Sequence, residues 1–503
     1  MGSESFLLGF DVGSSSIKAA LIGARTGRLA ASAVSPKTEL AIEAKRPGWA
    51  EQDPVVWWEH VVAAAREIRA RAASACEAIA AIGISYQMHG LVLVDGSGKV
   101  LRPSIIWCDS RAVEIGEKAF RRIGEQACLS RLLNSPGNFT ASKLAWVKEN
   151  EPEVFKRAAK AMLPGDYIAM RMTGETRTTP SGLSEGILWD FPKGGIADIV
   201  LDTYGIPREL LPEVAPTFSV QGEGGLTPEA ASALGLRKGI PVTYRAGDQP
   251  NNAFSLKVLD PGEVATTAGT SGVVYGVAGS PRHDPRSRVN TFVHVTHTPA
   301  APRYGVLLCV NGTGILNSWI RATLMGRGSP VAYDELNRIA AEAPVGSDGL
   351  VVLPYGNGAE RTLANRNPGA GMGGLDFNRH GIAHVLRAAQ EGIVFALQYG
   401  LEIMKDMGIE AATVRAGYAN MFLSPLFRQA FSTVTGARVE LYSTDGAQGA
   451  ARGAGVGAGI YPGVRDAFVG LSAVQTVEPD SKAVPAYHDA YGRWKEALGR
   501  VMV

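Results

Sequence analysis

Two short stretches built to one plan constrain the fold more than any other feature of this chain. The first is Phe10-Asp11-Val12-Gly13-Ser14-Ser15-Ser16-Ile17-Lys18; the second is Gly269-Thr270-Ser271-Gly272, set between β-branched stretches. Each reads as a strand, a tight turn of glycine and hydroxyl residues, and a second strand. Such turns expose backbone N–H groups and hydroxyls that can hold phosphate oxygens. One in each half suggests two related domains that close on a nucleotide from opposite sides. Asp248, in Arg245-Ala246-Gly247-Asp248-Gln249-Pro250-Asn251-Asn252-Ala253, lies shortly ahead of the second turn. A carboxylate there is well placed to activate a hydroxyl for phosphoryl transfer.

At 503 residues the chain is too long for one hydrophobic core. Its 60 glycines are spread over many turns rather than one low-complexity tract, which fits a protein rich in ligand-holding loops. A net charge of +2 with no long basic block excludes nucleic acid and an anionic membrane as expected partners. No apolar run approaches a membrane span, and Phe6-Leu7-Leu8-Gly9-Phe10 is too short for a signal peptide. Cys76, Cys108, Cys128 and Cys309 show neither metal spacing nor a disulfide framework, so reduced thiols in a cytoplasmic protein are expected.

Hydrophobic patterning predicts strands at 5–12, 17–23 and 28–34, then a helix at 54–72 with Asp53 as N-cap and Pro54 as its first residue. Strands follow at 80–86, 91–95 and near 104–107. The second half repeats that order: strands at 263–267, 273–278 and 304–310, helices at 313–325 and 331–342, and a buried strand at 350–354. A long helix at 380–407, a strand near 412–416, a helix from about 424, a strand at 438–443 and an Ala/Gly-rich helix at 446–459 complete it. This is an α/β order with mixed sheets. The expected division is an N-terminal domain at 1–246, a C-terminal domain at 247–460, and an appendage at 461–503 with one amphipathic helix around 486–500.

Each candidate residue has a plain structural reading beside the chemical one. Asp11 with the turn at 13–16 could face a metal and phosphates, since Mg²⁺ takes carboxylate, phosphate and water oxygens, or could belong to an ordinary hairpin. The glycines of 269–272 permit close backbone approach, or simply make a turn. Asp248 is a general base for a sugar hydroxyl, or the N-cap of a helix beginning near Pro250; the residues alone do not choose. Tyr86-Gln87-Met88-His89 ends a strand, where side chains often line sites in α/β proteins. Trp49-Ala50-Glu51-Gln52-Asp53 and Trp107-Cys108-Asp109-Ser110-Arg111 put aromatic and polar groups in loops, which suits a sugar or ordinary packing. The run Gly446-Ala447-Gln448-Gly449-Ala450-Ala451 through Gly459 admits a flat ligand, another backbone, or tight helix–sheet packing.

Taken together these residues resemble the FGGY carbohydrate kinases, over about residues 5–460, and among them the xylulose kinases. The resemblance is carried by Trp49-Ala50-Glu51-Gln52-Asp53-Pro54, by Gln87-Met88-His89-Gly90, and by Leu101-Arg102-Pro103 through Trp107-Cys108-Asp109-Ser110-Arg111. Lys143 through Asn150 and Gly374-Leu375 through Glu391 fit the family's two signatures, with Gln390 where an apolar residue is usual. The resemblance implies two RNase H-like (actin-like ATPase) domains, with mixed β-sheets flanked by helices and a cleft between them, the first on the sugar side and the second on the nucleotide side. It implies ATP and Mg²⁺, with phosphorylation of D-xylulose to D-xylulose 5-phosphate and domain closure that excludes water. Asp248 matches the catalytic aspartate, and Asp11 with Asp248 the metal side. Trp49, Gln87, Met88, His89, Asp248 and Gln249 are the expected sugar contacts. Gly13, Ser14, Ser15, Lys18, Gly269, Thr270, Ser271, Gly314, Gly417 and Asn420 are the expected nucleotide contacts. Met88 and His89 stand where glycerol kinases have Arg and Glu, which argues against glycerol. Homodimerisation is a family-level expectation.

The chain departs from the pattern at two places. Gln249 follows Asp248, where many xylulose kinases have Asn. The adenine-side Gly-Gly-Gly-x-Lys/Arg is replaced by Ala416-Gly417-Tyr418-Ala419-Asn420-Met421, in a loop about three residues longer. These departures keep one alternative, a kinase for another pentulose (ribulose or L-xylulose); a second, an actin-like nucleotide-binding module without catalysis, has the sugar-side set Trp49, Gln87, Met88, His89 and Asp248 against it.

Overall fold

The computed structural model describes residues 4–326 and 331–502; residues 1–3 and 503, which begin and end the expected segments, lie outside them. Two five-strand cores carry the architecture. In the first, β1 (Phe6–Val12), β2 (Ile17–Gly23) and β3 (Leu29–Ser35) form an antiparallel meander, and β4 (Ile79–Tyr86) and β5 (Val242–Gly247) add in parallel beside β1. The order is β5-β4-β1-β2-β3. In the second, β6 (Val264–Ala268), β7 (Gly272–Ala278) and β8 (Tyr304–Val310) lie on one side, with β9 (Thr413–Gly417) and β10 (Arg438–Tyr442) parallel beside β6. The order β8-β7-β6-β9-β10 repeats the first, with extra edge strands at 290–293 and 473–477.

Near-continuous apolar strands such as Phe6–Val12 are buried on both faces because helices cover them. Helix α1 (Pro54–Arg71) starts where Asp53 accepts the Val55 N–H at 2.9 Å, with Pro54 first. Its stripe of Trp57, Trp58, Val61, Ala64, Ala65 and Ile68 is buried. Helix α2 (Asp248–Ser255) begins two residues earlier than expected: Gly247 is its N-cap and Asp248 its first residue, so Asp248 is not the cap. The other principal helices are α3 (Gly314–Met325), α4 (Tyr333–Ala340), α5 (Ile382–Asp406), α6 (Pro425–Thr435), α7 (Gly446–Gly457) and α8 (Val484–Val501).

Helix α7 decides between the readings of the small-residue run. It lies directly on β1 and β4: a methyl group on Gly9 or Gly83 would run into the carbonyl oxygens of Ala447 and Ala450. The small residues serve tight helix–sheet packing.

The chain forms two compact units, and it crosses between them more often than the expected segments 1–246, 247–460 and 461–503. The first holds residues up to 257 together with 292–304 and 444–471; the second holds 258–291, 305–443 and 472 onward. Within the last segment, the strand Ala473–Val477 pairs with β10, an element the sequence did not signal. Helix α8 buries Trp494, whose indole N–H donates to the Val352 carbonyl at 3.1 Å. Among the described residues no helix is long and apolar enough to cross a membrane. All four cysteines are free thiols.

Candidate active site

In the first unit β1, β4 and β5 run parallel, so their C-terminal ends lie at one edge of the sheet. That edge is where open α/β sheets bind ligands. It carries Asp11, Gln87-Met88-His89 and Asp248. Ser85 Oγ donates to Asp11 Oδ1 at 2.8 Å, and Lys18 stands opposite Asp11 in the β1–β2 register. Burial raises the Asp11 carboxyl above its ordinary value, although Lys18 and Ser85 pull it back. Asp248 is pushed up to about 7, first by burial and then by the negative charge of Asp11, against hydrogen bonds from Gln249. Its side chain is reachable from solvent yet densely surrounded by protein. The start of α7 closes on the same place. A methyl group on Gly446 would come 2.5 Å from Asp11 Oδ2, and Asn251 Nδ2 donates to the Gly446 carbonyl at 2.9 Å.

Met88 is buried against Gly247, where an added methyl group would lie 2.6 Å from Met88 Cγ. His89 sits in the left-handed region at φ 61°. Its Nδ1 lies 2.8 Å from the Glu185 carbonyl, and its ring meets Phe139 edge-on at 4.7 Å and Phe292 at 5.6 Å. Buried Lys143 donates to the carbonyls of His89 (2.8 Å) and Ile106 (2.9 Å), and burial pulls its ammonium down to about 7. Gln87 is buried, and its N–H donates to the Val12 carbonyl at 2.9 Å. Gln52 Nε2 donates to the Ser14 carbonyl at 2.7 Å, and Trp107 Nε1 to Ser14 Oγ at 3.2 Å. The Gly13–Ser16 turn is closed by a 3.1 Å backbone bond, with Ser15 and Lys18 exposed. Trp49 is held between the Arg111 guanidinium, 3.7 Å from its ring centre, and Trp146. Arg111 and Arg102 are in turn paired with buried Glu51 at 2.7 and 2.5 Å.

Sequence reasoning missed Glu185. It is buried with a carboxylate oxygen against Gly247, and burial, helped by the charges of Asp248 and Asp166, holds it well above the usual carboxylate range. Nothing in Pro180–Glu185 marks it. Phe292 was missed for a different reason: its segment returns to the first unit from the middle of the second.

In the second unit a cavity of about 460 Å³ opens at the second turn. Gly269, Thr270, Gly314 and Asn420 line it; Ser271 and Gly417 do not. Gly314 N–H donates to the Gly269 carbonyl at 2.8 Å and Ile315 N–H to the Thr270 carbonyl at 3.2 Å, so the start of α3 is clamped to the turn. A methyl group on Gly314 would collide with the Gly269 carbonyl, which is why glycine stands there. The chain enters α3 through Asn311, whose N–H donates at 2.9 Å to buried Glu360, a carboxyl pushed up to about 8 by burial. Asn317, Ser318, Tyr333, Asn337 and Ser424 also line the cavity and were missed. Asn317 and Ser318 lie three and four residues beyond Gly314, so helical spacing from the clamp points to them; α4 carries no comparable signal.

The family model for the FGGY family of carbohydrate kinases, N-terminal domain, matches residues 6–255, and that for the C-terminal domain matches 264–460. The xylulose kinase of Escherichia coli (strain K12) is 31% identical over 95% of this chain and 96% of its own length. The L-xylulose/3-keto-L-gulonate kinase of the same organism is 30% identical over 98% of this chain and 96% of its own. The crystal structure of xylulose kinase from Rhodospirillum rubrum superposes with a TM-score of 0.86 at 26% identity, covering 99% of both chains.

Proposed function

The chain belongs to the FGGY family of carbohydrate kinases, and from that premise we propose that it transfers the γ-phosphoryl group of ATP to the terminal (C5) hydroxyl of D-xylulose, giving D-xylulose 5-phosphate. The observation that carries the proposal is Asp248. It follows β5 directly, beyond Gly247, which packs on Met88, and its carboxyl is raised to about 7, in part by the charge of Asp11. A general base works best when its pKa lies near the operating pH, and burial with one neighbouring charge supplies that here. Asp248 takes the hydroxyl proton as the sugar oxygen attacks the γ-phosphorus in line. The transition state is loose, so positioning and charge stabilisation supply most of the acceleration.

On the sugar side, Trp49, Gln87, Met88, His89 and Gln249 orient the acceptor. Trp49 is rigid because Arg111 and Trp146 pin it, and His89 is aimed by Glu185, Phe139 and Lys143. The Gly13-Ser14-Ser15 turn and Lys18 lie on the phosphate side of Asp11. In the second unit the Gly269-Thr270-Ser271 turn presents backbone N–H groups and hydroxyls to the phosphates, and Gly314 lets the start of α3 lie close against it, with Asn420 beside them and Gly417 ending β9.

Mg²⁺ fits the donor set. Asp11 and Asp248 are close enough for one charge to raise the other, and hard oxygen donors on two carboxylates, completed by phosphate and water, are what this ion uses. When bound, Mg²⁺ neutralises charge on the phosphate oxygens.

The similarity to a kinase whose name carries L-xylulose favours a second reading, L-xylulose as the acceptor. ADP release with Mg-ATP against D-xylulose, L-xylulose, D-ribulose, L-ribulose and glycerol separates the two. A preference for D-xylulose supports the proposal, and turnover of only another sugar replaces it.

A further inference from the structure

Gln390, the polar residue at an ordinarily apolar position of the second signature, lies in α5 and is 1% exposed. A buried primary amide is costly unless its hydrogen bonds are made. Gln390 makes them to two residues that line the 460 Å³ cavity. Ser424 Oγ lies 2.8 Å from Gln390 Oε1, and Gln390 Nε2 lies 2.9 Å from Asn337 Oδ1.

The bonds of this chain run in one direction, from the cap of a helix toward the cavity. Ser424 is the N-cap of α6, where its Oγ accepts the Phe427 N–H at 3.2 Å. Its remaining O–H donates to Gln390 Oε1. That leaves Gln390 Nε2 facing Asn337, which must answer with Oδ1. Among the described residues Asn337 Nδ2 has no other hydrogen bond, and the half-buried residue lines the cavity. With its bonds in these directions, Asn337 offers the cavity a donor and not an acceptor.

We propose that Gln390 is a positioning residue for nucleotide selection, holding Asn337 so that Nδ2–H meets a ring-nitrogen acceptor of a purine base. The inference rests on reading this cavity as the nucleotide site.

Equilibrium binding of ATP and of 1-deaza-, 3-deaza- and 7-deaza-ATP, by competition against a fluorescent ADP derivative, tests it without any sugar. Each analogue removes one ring acceptor. The wild-type chain should bind one of the three about three- to tenfold more weakly than ATP. Asn337→Asp keeps an oxygen for Gln390 Nε2 but places an acceptor where the donor was. It should weaken ATP by a similar factor and erase the penalty for that analogue. Gln390→Leu should erase it too, because Asn337 is then free to turn. In turnover both variants should raise KM for ATP and leave kcat unchanged, since neither residue touches the reacting atoms. A purely structural role for Gln390 would leave the deaza penalty intact in the variants. If Gln390→Leu does not fold, the half-exposed Asn337→Asp variant decides alone. Equal binding of all four nucleotides by the wild type overturns the inference, as does a penalty that survives in the variants. Wild-type protein that binds neither ATP nor the ADP probe removes the nucleotide-site reading itself, a separate result.

Discussion

The two units share a sheet order, yet their strand ends carry different chemistry. In the first unit β1 carries Asp11 next to its end, and β4 and β5 lead directly into Gln87-Met88-His89 and Asp248. In the second, the strands in the same places, β6, β9 and β10, lead into Gly269, Tyr418 and Ser443. The first unit sets half-buried and buried carboxylates where their charges push one another's pKa values. The other works with backbone groups brought close by glycine. A sugar hydroxyl needs a base and directional polar groups; a phosphate chain needs N–H groups and little else. Removing side chains should therefore harm the first unit, and adding a methyl group should harm the second.

The largest effect is expected from Asp248→Asn, which should lower turnover about 10²- to 10⁴-fold while leaving sugar binding largely intact. Near-normal kcat in that variant would remove the base from the first unit and dissolve the contrast. Next is Gly314→Ala, which drives a methyl group into the Gly269 carbonyl. KM for ATP should rise about ten- to hundredfold with sugar affinity unchanged; an unaltered KM would show that the clamp does not shape the phosphate turn.

A smaller and continuous effect is pH. A base is active when deprotonated, so kcat/KM should rise with pH up to about 7 and then level off, and this limb should vanish in Asp248→Asn. A rate that is flat between pH 5 and 8 contradicts it. The smallest effect lies in the second unit. Glu360 is raised to about 8 from 4.5, so the folded state holds a proton that the unfolded state releases between those values. Stability should fall as pH climbs through that window. Thermal melts of Glu360→Gln should lose this slope and show the variant gaining on wild type toward pH 8. Parallel curves would mean that Glu360 carries its charge when folded.

Several elements were legible because their causes are local. Asp53 capping α1, the short apolar strands β2 and β3, and the glycine–hydroxyl turns all arise from residues within a few positions of one another. The motif residues Asp11, Met88, His89 and Asp248 lie at one edge of the first sheet, and Gly269, Thr270, Gly314 and Asn420 line one cavity in the second unit. Glu185 could not be read, because only the fold brings its carboxylate against Gly247. The strand Ala473–Val477 was missed because its four exposed or half-buried residues cover an edge and carry no core pattern.

The sequence by itself determined the α/β class, the repeated turns and the family, since each is written in short runs and their order. Only the tertiary structure decided that α7 packs on the first sheet, that Asp248 is raised to about 7, and that Gln390 ties a helix cap to a cavity wall. Those results depend on burial and on contacts between residues far apart in the chain. Burial and a neighbouring charge turn an ordinary carboxylate into a base matched to neutral pH, and burial ties an ordinary amide to the partners on either side of it.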